Sequence, residues 1–185
     1  MENLFTPNCI RTHSGIYINP FEPTPDQITI EDIAHSLSMQ CRFAGHLPKF
    51  YSVAQHSVEC SNMVNSHFQL QALMHDASEA YLLDIPSPIK KVIPAYRSAE
   101  NNLMNIIAEK FGFTYPLYKI VKWADQEMLE FEWDKIMLQN KFIKYAEFPS
   151  KNFFECWSPE QAEEEFLNQY NRIIHSQNTK FNNPT

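Results

Sequence analysis

The chain has 185 residues, three glycines and a formal net charge of -7. That length supports one domain with a real core. So few glycines exclude a glycine-rich phosphate-cradling loop, and the acidic balance argues against a stable nucleic-acid complex.

Residues 1–28 carry Pro7, Pro20, Pro23 and Pro25 and little apolar periodicity. They read as an irregular N-terminal arm, with a hairpin around Ser14-Gly15 and the chain's only strand signal at residues 10–19. Thr29, with Asp32 three residues on, caps a helix whose apolar side runs through Ile33, Leu37 and Cys41. That helix is expected to stop near Phe43-Ala44-Gly45. Ser52 and Gln55 open a second helix, along which Val53, Ser57, Cys60 and Val64 share a side. A third is expected from Phe68 to Leu83, ended by an extended turn at Pro86 and Pro88. A fourth runs from Arg97 to Phe111 and closes at Gly112. Thr114 and Pro116 then start a long helix reaching about Asn140. After a loop, Ser158, Pro159 and Gln161 open a last helix ending near His175, followed by a frayed tail.

The expected fold is therefore all-α, a single-domain multi-helix bundle with its core in residues 29–145. Residues 146–185 pack a loop, a helix and the tail on the same domain. Cys9, Cys41, Cys60 and Cys156 include no C-x-x-C pair. The start "MENLFTPNCI" lacks a signal-peptide pattern, and no apolar run approaches the roughly 20 residues that span a bilayer. A cytoplasmic protein with reduced thiols and no membrane partner is expected.

The stretch "LMHDASEAYLLDIPSPIK", residues 73–90, places His75, Asp76 and Glu79 inside an apolar run. Buried ionisable groups are costly unless paired or holding a metal. On a helix, Glu79 shares a face with both His75 and Asp76, while His75 and Asp76 diverge by about 100° and can flank one ion. His56, in "SVAQHSVE", and Asp125, in "VKWADQEML", are candidates to complete the set. Two imidazoles and two carboxylates suit one divalent transition metal: manganese, cobalt, zinc, iron or nickel, with magnesium less natural. From spacing alone, a metal centre and a satisfied polar cluster both account for the pattern. His13, His35, His67 and His175 read as structural or exposed, whereas His46, beside Gly45 in a loop, stays a candidate for contact with substrate.

The succession "SVAQHS", "LMHDASEAYLLDIPSPIK" and "VKWAD" resembles the HD superfamily of metal-dependent phosphohydrolases, named for its H…HD…D signature. Within it, "HDASE", four residues and "DIPSPIK" resemble bacterial 5'-deoxynucleotidases. The stretch "EDIAHSLSMQCRFAGHLPKFYSVAQHS" is similar to phage-encoded HD hydrolases, including those that remove triphosphate from dATP. The likeness covers roughly Thr12 to Asn140.

The resemblance implies an HD-domain-like bundle, metal ligands at His56, His75, Asp76 and Asp125, and a catalytic carboxylate at Glu79. It implies that Arg42 contacts substrate phosphate, with Asp84 near the sugar. Lys90 could reach a phosphate or lie in solvent. Phe43 stands where the cellular deoxynucleotidases are expected to carry tryptophan, and the His56–His75 interval is shorter than theirs. The expected reaction attacks the innermost phosphorus of a deoxynucleotide. A dNTP such as dATP would give deoxynucleoside and triphosphate; a dNMP would give deoxynucleoside and phosphate. Two alternatives stay open: hydrolysis of a cyclic or signalling nucleotide, and a nucleotide-binding HD protein without turnover. The resemblance also implies a homo-oligomer in the cytoplasm, the host's if the protein is phage-encoded.

Overall fold

The computed structural model describes residues 6–138 and 155–182. In that range the chain forms eight α-helices and one two-stranded ribbon. Strands β1 (Ile10–Arg11) and β2 (Tyr17–Ile18) pair antiparallel. Gly15, at φ +92°, makes the turn between them, a backbone shape that side chains resist. The arm is tied down. Ser14 donates from its backbone N–H and its hydroxyl to the Asp32 carboxylate, each at 2.7 Å, and Ile18 is fully buried.

Helix α1 (Ile30–Met39) begins where Thr29 Oγ1 accepts from Asp32 N. It ends earlier than expected. Gln40 is extended, because Cys41 bridges to Ser52 in β fashion. Residues 42–51 form a loop closed at that bridge by Arg42 N–H donating to Tyr51 O. Helix α2 (Val53–Asn62) is capped by Ser52 Oγ, which accepts from Gln55 N.

The single helix expected over residues 68–83 is broken. Helix α3 (Gln69–Leu73) gives way to turns with i→i+3 bonds, and α4 covers only Glu79–Leu82. The cause is local: His75 Nδ1 lies 2.8 Å from Ala72 O, the carbonyl that an unbroken helix would offer to Asp76 N–H. The proline segment is also more ordered than expected, since α5 spans Ser87–Lys90. Helix α6 (Pro94–Phe111) starts before Arg97, with Pro94 in its first turn, and ends at left-handed Gly112. Helix α7 (Lys119–Glu132) begins after Tyr118, later than Thr114 and Pro116 suggested, and runs into a π-helical turn at Trp133–Met137. The expected end near Asn140, and the loop through residue 154, lie outside the described residues. Helix α8 (Pro159–Asn182) outruns the expected stop at His175; no proline or glycine intervenes before Pro184.

Helix α2 is the centre of the packing, touching α1, α3, α7 and α8. Phe166 and Ala162 of α8 meet Ile33, Ala34 and Leu37 of α1 and Val53 and Ala54 of α2 in the main core. Gln55 reinforces this by holding Glu155 O and Trp157 N through its side-chain amide. A smaller cluster of Val64, Ala72, Val121 and Ala124 seats α7 against the α2–α3 turn. That contact brings Asp125, next to Ala124, to the middle of α2. No helix among the described residues is long and apolar enough to cross a membrane.

Candidate metal centre

Three parts of the chain deliver polar atoms to one point: α2, the turn between α3 and α4, and α7. His56 Nε2 lies 3.2 Å from His75 Nε2, 3.2 Å from Asp125 Oδ1 and 3.9 Å from Asp76 Oδ2. His75 Nε2 lies 3.2 Å from Asp76 Oδ2 and 3.7 Å from Asp125 Oδ1. Separations of 3.2–3.9 Å are those expected between ligands of one ion at bond lengths of about 2.1 Å, as for zinc with imidazole or carboxylate.

The imidazoles are oriented for this. His75 Nδ1 faces Ala72 O at 2.8 Å, and His56 Nδ1 faces Glu132 Oε1. Both partners are acceptors, which places a proton on each Nδ1 and would leave each Nε2 to face a cation once its own proton is released. His56 is fully buried, while Asp125 keeps 46% of its side-chain exposure and marks the open side of the site.

The charges reinforce one another. Burial opposes ionisation of Asp76, yet His75 draws its carboxyl down to about 2. Asp125 is also lowered, the cost of burial being outweighed by bonds from His56 and His75. Burial and Arg42 act to lower the His56 pKa, but Cys60, Glu132 and Asp125 hold it well above the ordinary value. His75 is raised too, burial being overcome by Asp76 and Asp125. Two protonated imidazoles would direct like charges at each other across 3.2 Å. A divalent cation between them would remove that conflict and release protons on binding.

Cys60 is a neighbour that the spacing analysis missed, although it stands one helical turn after His56. His56, Cys60 and His75 form a buried group that could hold a metal ion, with ligand atoms within 4.8 Å of one another. The carboxylates are the better partners. Cys60 Sγ is 3.5 Å from His56 Nε2 and 3.9 Å from Nδ1, so it lies against the flank of the ring. An ion in front of Nε2 stands well beyond the ~2.3 Å of a zinc–thiolate bond. Cobalt-loaded protein should therefore lack a thiolate-to-cobalt charge-transfer band, and Cys60→Ala should keep its cobalt affinity within about threefold, against the 10–100-fold typical when a ligand's supporting contact is lost. A strong near-ultraviolet band that Cys60→Ala removes would make the sulfur a ligand.

The remaining predicted residues ring this centre. Arg42 is buried at the base of its loop, donating from Nε to Glu132 Oε2 at 3.1 Å, with Nη1 3.7 Å from Asp76 Oδ2. Burial works against its charge, but Glu132 and Asp76 raise its pKa. Phe43 and Ala44 follow at φ +55° and +51°, and the Phe43 ring lies against Trp133. Glu79, one turn beyond His75, is buried. Its Oε1 accepts from Lys90 Nζ at 2.6 Å, while its Oε2 has no hydrogen-bond partner. Burial, then Asp76 and Asp84, push the Glu79 pKa well up, with Lys90 pulling against them. Lys90 itself bridges Glu79 and Glu100.

Asp84 is half-buried and raised chiefly by burial; Arg42 opposes and Asp76 adds. It reaches this position through Leu83, whose φ of +69° and ψ of 151° only glycine adopts freely. Tyr96 OH donates to Leu83 O, and Asp84 N–H to Gln40 Oε1, which hold the strained turn. His46 is exposed in the 42–51 loop. Elsewhere, His13 stacks on His35, which pairs with Glu163, while His67 and His175 are exposed.

Glu132 is the other residue the sequence did not single out. It is fully buried, and it accepts from Tyr51 OH at 2.8 Å as well as from His56 and Arg42. The available signal was its place seven residues, or two helical turns, beyond Asp125.

No family model matches the chain. It is 49% identical over 123 residues to the uncharacterized protein YfdR of Escherichia coli (strain K12), covering 66% of this chain and 69% of that protein. It is 31% identical over 140 residues to the uncharacterized protein RCAP_rcc00048 of Rhodobacter capsulatus, covering 68% of this chain and 71% of that one.

Proposed function

Given that the chain belongs to the same family as YfdR of Escherichia coli, a relationship that names no reaction, we propose from its side chains that it is a metal-dependent phosphohydrolase of HD type. Its substrates are deoxyribonucleotides in the cytoplasm, cleaved at the innermost phosphorus. A dNTP such as dATP yields deoxynucleoside and triphosphate, and a dNMP yields deoxynucleoside and phosphate. The observation that carries this reading is the meeting of His56 Nε2, His75 Nε2, Asp76 Oδ2 and Asp125 Oδ1 at 3.2–3.9 Å.

Those four residues would hold a divalent manganese, cobalt, zinc, iron or nickel ion; the nitrogen and oxygen donors make magnesium a poorer match. Such an ion, when bound, supplies Lewis acidity that activates water and offsets phosphate charge. The protein's own groups do the rest. Glu79 Oε2, buried and unpartnered, can accept a proton from the attacking water. Burial, which pushes this carboxyl up, makes its ionised form a stronger base toward that proton. Lys90 fixes the other Glu79 oxygen and so sets the orientation of the carboxylate. Arg42 has Nη donors left over from its bond to Glu132, and these can meet phosphoryl oxygens as charge grows on them. The deoxynucleotide preference comes from the likeness of "DIPSPIK" and from Asp84, which shares the electrostatic field of Arg42 and Asp76.

The test is to incubate manganese- or cobalt-loaded protein with dAMP and, separately, with dATP, and to separate the products by chromatography. Deoxyadenosine is expected, with phosphate from the first or triphosphate from the second. Release of pyrophosphate, or no turnover of either nucleotide with any of the five metals, would overturn the proposal.

A further inference from the structure

We infer that Glu132 is a positioning residue that sets both the metal-facing imidazole of His56 and the phosphate-facing guanidinium of Arg42, so that one buried carboxylate ties the two halves of the site together. This rests on the phosphohydrolase reading. It adds a residue that touches neither metal nor substrate.

The carboxylate's lone pairs are divided. Oε1 accepts from His56 Nδ1 and Tyr51 OH, and Oε2 accepts from Arg42 Nε. Its exposure is zero, so water cannot take the place of any of these donors. An isolated buried carboxylate is costly; here Arg42 and the three hydrogen bonds offset that cost and hold Glu132 ionised. The helix supplies the registration. Asp125 and Glu132 stand two turns apart on α7, so the element that presents a carboxylate to the open side of the His56 ring presents another to the buried side. Arg42 hangs from a loop whose three consecutive residues, Phe43 to Gly45, have positive φ. Such a backbone does not fix the guanidinium by itself; Glu132 does.

A glutamine here cannot satisfy both directions. Its oxygen can serve His56 and Tyr51, but its NH2 then confronts Arg42 Nε–H, donor against donor. Turned over, it loses His56 instead. Glu132→Gln is therefore expected to weaken cobalt binding by about 10-fold, the lower end for losing the group that holds a ligand's other nitrogen. Phosphate binding, measured calorimetrically with inorganic phosphate at saturating cobalt, should weaken by a similar factor. KM for the nucleotide should rise as well. A purely structural residue would lower thermal stability and leave both affinities of the folded protein unchanged. That outcome overturns the inference, as does a loss confined to cobalt.

Wild-type protein labelled with 15N-histidine provides a second measurement, should the variant fail to fold. On zinc loading, the His56 signal must show a protonated Nδ1 and a ligated Nε2; the reverse overturns the inference. If wild-type protein binds no metal at all, the site reading itself falls. If it binds metal and phosphate and Glu132→Gln does the same, only the role of Glu132 falls.

Discussion

Asp76→Ala should abolish stable metal binding, and all turnover with it. Asp76 Oδ2 lies 3.2 Å from His75 Nε2, 3.9 Å from His56 Nε2 and 3.7 Å from Arg42 Nη1. It thus opposes three groups that are, or can become, cationic. Its removal subtracts a ligand and also leaves the Arg42 charge, held in a buried position, facing a second cation with less compensation. Loss of an outer-sphere partner alone weakens metal binding by about 10–100-fold, so loss of a direct ligand should exceed that range. Calorimetric titration with cobalt or zinc, in parallel with the nucleotide assay, checks it. A variant that keeps wild-type metal affinity would remove Asp76 from the centre. The result separates a metal site from a polar cluster that merely satisfies itself, because a cluster of that kind predicts no ion in either protein.

The sequence exposed this centre because its members are costly where they stand. His75, Asp76 and Asp125 interrupt apolar stretches, whereas His56 lies among polar and small residues and joins them through the likeness to the H…HD…D signature. Three helix starts were legible from their capping residues, while those of α6 and α7 were misplaced. Thr29 with Asp32, Ser52 with Gln55, and Ser158 with Gln161 all make the expected cap bonds. The break after Leu73 was not legible, because residues 68–83 keep a helical apolar pattern while the His75 side chain competes for Ala72 O. The early end of α1 depends on the Cys41–Ser52 bridge, a pairing eleven residues apart in sequence. Glu132 could not be told from the other glutamates of α7, the half-buried Glu127 and the exposed Glu130, until α2 packed against it. Leu83 violates the local rule for its backbone; Tyr96 and Gln40, which hold it, come from distant parts of the chain. What the sequence lacked throughout was the identity of the partner across a helix contact.

Glu79→Gln should do the opposite of Asp76→Ala: keep the metal and lose the chemistry. Neither Glu79 oxygen belongs to the set of atoms that converge on the centre. Oε1 is engaged by Lys90, and Oε2 is the buried oxygen without a partner. Glutamine has the same shape, and its oxygen can still accept from Lys90, so its NH2 takes the place of Oε2. The substitution thus exchanges one acceptor for a donor and removes the charge opposite Lys90, which Glu100 still pairs. Cobalt affinity is expected to stay within about threefold of wild type, because losses of about 10–100-fold arise from groups that hydrogen-bond a ligand. KM should change little, while kcat should fall by about 10²–10⁴, the usual contribution of a positioned acid–base group. Arg42→Lys offers a contrast on the phosphate side, where KM should rise and kcat should fall together, since an ammonium cannot bond Glu132 and reach a phosphoryl oxygen with a rigid fork. Wild-type kcat in the glutamine variant would show that the proton is handled elsewhere. Loss of cobalt from that variant would show that Glu79 supports the metal, and the division of labour between Asp76 and Glu79 would have to be redrawn.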